Sequence, residues 1–273
     1  MNAIFRIGDD LAARFPLVPK DSVALADELR TETAAMGALA AVCPVPTPAH
    51  VAHGAPGDDY PLPWSVQYWI PGTVATPDGL AHSSLFADDL VRLIRSLRDV
   101  DTEGRKFDGA GRVGNLRDSD AWMEWCFQES RDLLPVDELR ALWSGYRMLP
   151  ESAPDVMSHG DLIPGNLLVE DEKLVGVLDG GGFKPADPAL DLVSAWHLLD
   201  SDVRDVVRKS VAADTIEWRR GAAWAFQQAM GVAWYYRDSN PGMSALGRST
   251  LERILADPEI NSSRMEAEIW RST

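Results

Sequence analysis

The chain has 273 residues, which is enough for one large domain or two lobes with a sizeable buried core. Its formal net charge of −16 opposes binding to nucleic acid or to an anionic membrane through phosphate contacts. We see no signal-peptide pattern and no uncharged apolar stretch of the roughly 20 residues that a membrane span needs. The two cysteines, Cys43 and Cys126, lack metal-ligand spacing. Together these features predict a cytoplasmic protein without nucleic-acid or membrane partners.

The first part of the chain is predicted to be rich in β-strands. The stretch AIFRIGDDLAARFPL alternates apolar and polar residues on both sides of Gly8-Asp9-Asp10, which predicts a β-hairpin. Asp21 and Ser22 are good N-caps for one long helix or two short helices over residues 21–40. After a proline-rich loop, WSVQYWIPG is predicted to be a strand that stops at Pro71-Gly72.

From about Ser84 the pattern becomes helical. SLFADDLVRLIRSLRDV and SDAWMEWCFQESRDLL are predicted to be amphipathic helices separated by a loop that contains glycine and arginine. Strands return at residues 167–169 and 174–178, joined by an acidic turn, and predict a second hairpin. Asp187-Pro188 then predicts a helix start, with aspartate as N-cap and proline at the first helical position.

The stretch MSHGDLIPGNLLVEDEKLVGVLDGGG, residues 157–182, holds the side chains that can do chemistry. It places His159 two residues before Asp161, Asn166 five residues after it, and Asp179 at the end of a predicted strand. This order matches the kinase catalytic loop, His-x-Asp-x4-Asn, followed by Asp-x-Gly. Phosphoryl transfer needs a carboxylate beside the attacking hydroxyl and oxygen ligands for Mg²⁺ at the phosphates. The alternative is that these are turn and capping residues.

HGDLIPGNLLV followed by GVLDGGGFKPADPALDL resembles the signature of the aminoglycoside phosphotransferase family, small-molecule kinases with a bilobal protein-kinase-like fold. The stretches NAIFRIGDDLAARFP, ETAAMGALA, VPTP and PWSVQYWIPG are similar to successive landmarks of the family, so the resemblance covers nearly the whole chain. It implies an α+β fold. A small β-rich nucleotide-binding lobe would span residues 1–72, and a larger helical lobe with the catalytic and acceptor-binding sites would span 73–273.

By position, the resemblance implies a role for each residue of the motif. Asp161 would be the catalytic base or the carboxylate that orients the hydroxyl, and His159 would order the loop. Asn166 and Asp179 would be the Mg²⁺ ligands.

Five further residues are implied to hold the nucleoside triphosphate, ATP or GTP. Arg14 stands where kinases usually have the lysine that binds the phosphates, and Glu32 would be its ion-pair partner. Tyr68, Trp69 and Ile70 would form the hinge between the lobes and offer backbone groups to the purine. The alternatives are an exposed strand arginine at position 14 and core aromatic residues at the hinge.

The acceptor pocket is predicted to be built from helices after residue 190. Five aromatic residues there could line it or belong to the core: Trp218, Trp224, Trp234, Tyr235 and Tyr236. Four acidic residues could meet an aminated sugar or form solvated helix faces: Glu124, Glu129, Asp200 and Asp202. We expect Asp187 to cap its helix, and Asp191 to anchor that helix to the catalytic loop.

Two features differ from the pattern of the family. Relatives usually begin with a strand and a phosphate-covering turn, which would lie immediately before NAIFRI. Either the start of the sequence has been assigned too late, or the N-terminal lobe lacks both. Ile163 stands where many relatives have a polar residue or histidine near the acceptor.

The implied activity is transfer of the γ-phosphate of a Mg²⁺-bound nucleoside triphosphate to a hydroxyl of a small molecule, an aminoglycoside or another antibiotic. Two alternatives are a metabolic sugar or amino-alcohol kinase and, in another class, a nucleotide-binding pseudokinase or scaffold.

Overall fold

A computed structural model describes residues 2–107, 109, 115–151 and 153–260 of the chain. Its first sheet has four antiparallel strands in the order β1-β2-β4-β3. The strands are β1 (Asn2–Ile7), β2 (Leu11–Pro16), β3 (His50–Gly54) and β4 (Trp64–Tyr68). The predicted N-terminal hairpin is therefore confirmed, and the predicted strand after the proline-rich loop ends two residues before Ile70.

One long helix, α1 (Ser22–Ala40), follows the hairpin. The Asp21 side chain accepts hydrogen bonds from the backbone N–H groups of Val23 and Ala24, which satisfies donors that a helix start leaves open. Leu39, near the end of α1, is fully buried and belongs to the main core. The helix thereby joins the N-terminal sheet to the rest of the molecule.

The predicted second hairpin is formed by β7 (Leu167–Glu170) and β8 (Lys173–Val177). Asp171 and Glu172 in its turn have φ values of 47° and 62°, the left-handed conformation that two-residue hairpin turns favour. The short strand β5 (Thr73–Val74) extends this sheet along β7. A separate strand pair, β6 (Val156–Ser158) with β9 (Lys184–Ala186), flanks the catalytic loop and the end of the hairpin.

Seven more α-helices follow α1 in the described residues. They are α2 (Ser84–Arg98), α3 (Asp120–Glu129), α4 (Val136–Tyr146), α5 (Val193–Leu198), α6 (Ser201–Ser210), α7 (Thr215–Tyr235) and α8 (Pro241–Ala256). The sequence analysis did not predict α4. Asp187 caps the helical segment that starts at Pro188, as predicted, although its first turn, Pro188–Leu192, is a 3-10 helix.

This arrangement confirms the predicted α+β class. In the described part of the chain, no helix is both long and apolar enough to cross a membrane. The lobe boundary at residue 72 and the absence of a first strand and phosphate-covering turn stay predictions. The predicted loop between α2 and α3 lies partly outside the described residues.

Candidate active site

His159 ties the catalytic loop to the end of β8. The side chain is fully buried, with Nε2 2.9 Å from the carbonyl oxygen of Leu178 and Nδ1 accepting from the backbone N–H of Asp161 at 3.3 Å. A neutral imidazole with its proton on Nε2 satisfies both contacts. The ring therefore contacts the backbone on both sides of the site.

Asp191 anchors the same loop from the helical side. Its carboxylate accepts from the backbone N–H of His159 at 3.2 Å and from that of Gly160 at 3.4 Å. The side chain is 1% exposed, and this burial raises the pKa of Asp191. The expected contact between this helix and the catalytic loop is therefore present.

Asp161 and Asn166 are joined by hydrogen bonds. Asn166 Nδ2 donates to the backbone oxygen of Asp161 at 2.8 Å and lies 3.3 Å from its Oδ2 atom. Because the amide nitrogen is used in this way, Asn166 Oδ1 is the atom that can face a cation. The backbone N–H of Leu178 donates to the carbonyl oxygen of Asn166 at 2.8 Å, so the end of β8 lies beside the loop.

Asp179 directly follows Leu178 at the end of β8. It has φ 58° and ψ 41°, a left-handed conformation that non-glycine residues seldom adopt. Arg14 Nη2 donates to Asp179 Oδ1 at 2.9 Å. Arg14 is only 9% exposed, so the alternative of an exposed strand arginine is wrong. Strand β2 thus places the buried guanidinium of Arg14 beside Asp179, at the end of the second hairpin.

The predicted partner of Arg14 is corrected by this contact. Among the described residues, no ion pair joins Arg14 to Glu32, because the guanidinium bonds to Asp179 instead. Glu32 packs against the glycine turn, where a Cβ atom added to Gly181 would lie 3.1 Å from Glu32 Cβ. Burial raises the pKa of Glu32, Arg14 opposes this effect, and the charge of Asp179 adds to it.

The hinge residues lie at and just after the end of β4. Tyr68 and Trp69 are 51% and 38% exposed, so the alternative that they are core aromatics is wrong. Their backbone N–H groups donate to the carbonyl oxygens of Ala49 and Asp10, so these two donors are not open to a purine. That Tyr68, Trp69 and Ile70 offer other backbone groups to the purine stays a prediction.

A cavity of about 490 Å³ lies beside the catalytic loop, since Ile163 is part of its wall. The described residues that line it are Trp122, Ile163, Gln227, Gln228, Gly231, Val232, Tyr235, Tyr236 and Met243. Trp218 and Trp224 are buried core residues instead, and Trp234 packs against the indoles of Trp122 and Trp125.

Most of this lining was missed by the sequence analysis. The members of α7 recur at positions 227, 228, 231, 232 and 235, the spacing of one helix face, and that periodicity was the available signal. The four acidic candidates lie elsewhere. Glu124 pairs with Arg140, Asp200 pairs with Arg253, Glu129 accepts from Trp125, and Asp202 is exposed.

The arrangement of loop, hairpin and buried arginine can be compared with known proteins. The model of the phosphotransferase enzyme family matches residues 2–224, most of the chain. The chain belongs to this family.

An aminoglycoside 3'-phosphotransferase from Streptomyces fradiae is 29% identical to this phosphotransferase-family chain over 172 residues. The match covers 58% of this chain and about 60% of the relative. An aminoglycoside 3'-phosphotransferase from Escherichia coli is 34% identical over 74 residues, covering 27% of this chain and 26% of that relative.

Solved structures share the fold over more of the chain. The GDP complex of an aminoglycoside 2'-phosphotransferase covers 97% of this chain and 90% of its own, with a TM-score of 0.65 and 19% identity. A macrolide 2'-phosphotransferase from Brachybacterium faecium covers 90% of this chain and 87% of its own, with a TM-score of 0.57 and 20% identity. These similarities confirm the predicted kinase-like fold of this family member.

Proposed function

We propose that the protein transfers the γ-phosphate of a nucleoside triphosphate, ATP or GTP, to a hydroxyl group of a small molecule. One observation carries this proposal: hydrogen bonds join the catalytic loop, with Asp161 and Asn166, to the end of β8, which leads directly into Asp179. Asn166 bonds to Asp161, and the backbone of Leu178 bonds to Asn166 and presents Asp179. Kinase chemistry requires these three groups in one place.

Asp161 acts on the acceptor in this proposal. Its carboxylate accepts the proton of the attacking hydroxyl, or holds that hydroxyl in line with the phosphate. Ile163, two residues further on, lines the cavity of about 490 Å³, so an acceptor bound there has its reacting end next to the loop. His159 and Asp191 keep the loop backbone in position through their buried contacts.

Asn166 and Asp179 would hold Mg²⁺. Within the described ranges, no group of three or more His, Cys, Asp or Glu side chains could hold a metal ion. Mg²⁺ fits the site nevertheless, because it is commonly bound by one or two protein oxygens together with phosphate oxygens and waters. When bound, it neutralises charge on the phosphates. Arg14, buried beside Asp179, supplies a permanent positive charge for the same purpose.

The acceptor is an antibiotic in the proposal, since the relatives named above are aminoglycoside and macrolide phosphotransferases. A metabolic sugar or amino-alcohol kinase would use the same catalytic residues and differ only in the acceptor. A pseudokinase is the weaker alternative because the base and both metal ligands are retained.

Replacing Asp161 tests the chemistry. Asp161→Asn keeps the size of the side chain but removes its charge, and a general base contributes about 10²- to 10⁴-fold to a rate. We expect turnover to fall by at least about 10²-fold while nucleotide binding persists. The measurement is phosphorylated product by mass spectrometry over a panel of aminoglycosides and macrolides. Asp205→Asn, on the surface of α6, is the matched control. Full turnover in Asp161→Asn would refute the proposed role.

A further inference from the structure

We propose that the acceptor is a mainly apolar, hydroxylated compound with at most one amino group, and not a polyamine. This inference rests on the proposed function, because it specifies which compound receives the phosphate in the cavity beside the catalytic loop. It is based on the chemistry of the cavity wall and of the charged residues around that wall.

The wall of the cavity is apolar, aromatic or uncharged. The described residues that form it include one tryptophan, two tyrosines and two glutamines, and none of them carries a carboxylate. The indole of Trp122 lies so close to α7 that a Cβ atom added to Gly231 would be 2.7 Å from it. A glycine at this position therefore makes room for an aromatic surface in the cavity.

Four carboxylates on the surrounding elements are paired with arginines: Asp120 with Arg147, Glu124 with Arg140, Glu217 with Arg98, and Asp238 with Arg237. Glu129 of α3 accepts from Trp125 instead, Glu252 of α8 is exposed, and neither is among the described wall residues. Asp161 is the carboxylate of the catalytic loop, and it is needed at the reacting hydroxyl. One amino group near that hydroxyl could share the carboxylate of Asp161, but a second amino group would have no anionic partner on the described wall.

The chemistry of the wall favours an apolar acceptor. An ammonium group that leaves water without an anionic partner loses hydration that nothing replaces. A contact with the face of Trp122 or a tyrosine recovers only part of that loss, so each additional amine adds to the deficit. Apolar surface placed in the same cavity is stabilised by its removal from water. The wall therefore discriminates against polyamines and in favour of apolar rings.

Gln228 supplies a neutral polar contact in this wall. Its Oε1 atom lies 3.0 Å from His197 Nε2, and His197 Nδ1 lies 2.9 Å from Thr250 Oγ1. Burial lowers the pKa of His197 to about 4, so the ring is neutral near pH 7. The side-chain amide of Gln228 is thus held by an uncharged imidazole. This amide can form a hydrogen bond with a hydroxyl, ether or carbonyl oxygen of the acceptor.

Calorimetric titration with two probes tests the inference. Kanamycin carries several amino groups, and erythromycin is a mainly apolar macrocycle with a single amine. Both are titrated into the full chain with Mg²⁺ and ADP or GDP, at about 0.15 M ionic strength to screen the acidic surface. Gln227→Glu places a carboxylate in the wall. Val206→Glu adds the same charge on the exposed face of α6 and is the matched control.

We expect erythromycin to bind the wild type with a Kd at least about tenfold below that of kanamycin, and Gln227→Glu to narrow this ratio about tenfold. Val206→Glu should leave the ratio unchanged. Equal or tighter binding of kanamycin would overturn the inference, as would an equal effect of the two variants. Binding of neither probe by a chain that binds Mg²⁺-nucleotide would also overturn it, yet leave the nucleotide half of the proposed function standing.

Discussion

At the scale of single residues, the nearness of Asp161 and Asn166 to the end of β8 could be predicted, because their intervals along the chain are short and set by one loop and one hairpin. Asp161, Asn166 and Asp179 lie within a single stretch, and their catalytic and metal-binding roles stay predictions. The partner of Arg14 could not be predicted in the same way. Glu32 and Asp179 are both acidic, and only the packing of the sheet against the hairpin decides which one it meets.

Asp191 gives the first prediction at this scale. Asp191→Ala leaves the backbone N–H of His159 without its acceptor, whereas the N–H of Gly160 still donates to Ser158 Oγ, and a buried unsatisfied donor costs about 1–3 kcal/mol. We expect the free energy of unfolding, measured with urea, to fall by about 1–3 kcal/mol, together with turnover. Asp205→Ala on the surface of α6 is the control. Unchanged stability in Asp191→Ala would show that the anchor has no energetic role.

At the scale of elements, periodicity and turn signals predicted both hairpins, α1 and the start of the segment at Pro188. The helix α4 was missed. The hydrogen bonds from the end of β4 to Ala49 and Asp10 were also missed, because they depend on distant parts of the chain. Close packing between elements is equally invisible in the sequence. A Cβ atom on Gly180 would overlap the end of the Leu39 side chain of α1, which would then have to move.

The contact between α7 and α8 gives a prediction of the same kind. A Cβ atom on Gly247 would lie 2.8 Å from the backbone nitrogen of Ala233 and 2.9 Å from the carbonyl oxygen of Ala229. We expect Gly247→Ala to lower the free energy of unfolding by about 1–3 kcal/mol, although alanine favours helix. Gly37→Ala in α1 meets nothing within 4 Å and should raise stability by up to about 1 kcal/mol. Equal effects of both in thermal unfolding would contradict this account.

At the scale of the whole molecule, the α+β class could be predicted from the change from strands to helices along the chain. The cavity beside the catalytic loop could not, because its wall combines α3, the catalytic loop, α7 and the start of α8. The core of the helical region also holds a buried histidine, His197, that composition alone does not reveal. It joins α5 to Gln228 of α7 and Thr250 of α8.

His197 makes the stability of the molecule dependent on pH. Its pKa is lowered by burial to about 4, whereas the unfolded chain has the ordinary value of about 6.5. Between these values the unfolded state binds more protons, so stability is lost as pH falls from about 6.5 to about 4. The loss from this group is on the order of 3 kcal/mol. In His197→Gln, the free energy of unfolding measured with urea should no longer show this loss between about pH 6.5 and about pH 4. In His82→Gln, an exposed control, the loss should remain.

The central claim is that the catalytic loop and hairpin form a working Mg²⁺-nucleotide site. Calorimetric titration with ATP and with GTP, each with and without Mg²⁺, tests it most directly, on the wild type and on Asp179→Asn. The account predicts metal-dependent binding of at least one nucleotide, weakened in Asp179→Asn because a carboxylate ligand is lost. Binding of neither nucleotide by the folded chain, or metal-dependent binding that Asp179→Asn leaves unchanged, would contradict it.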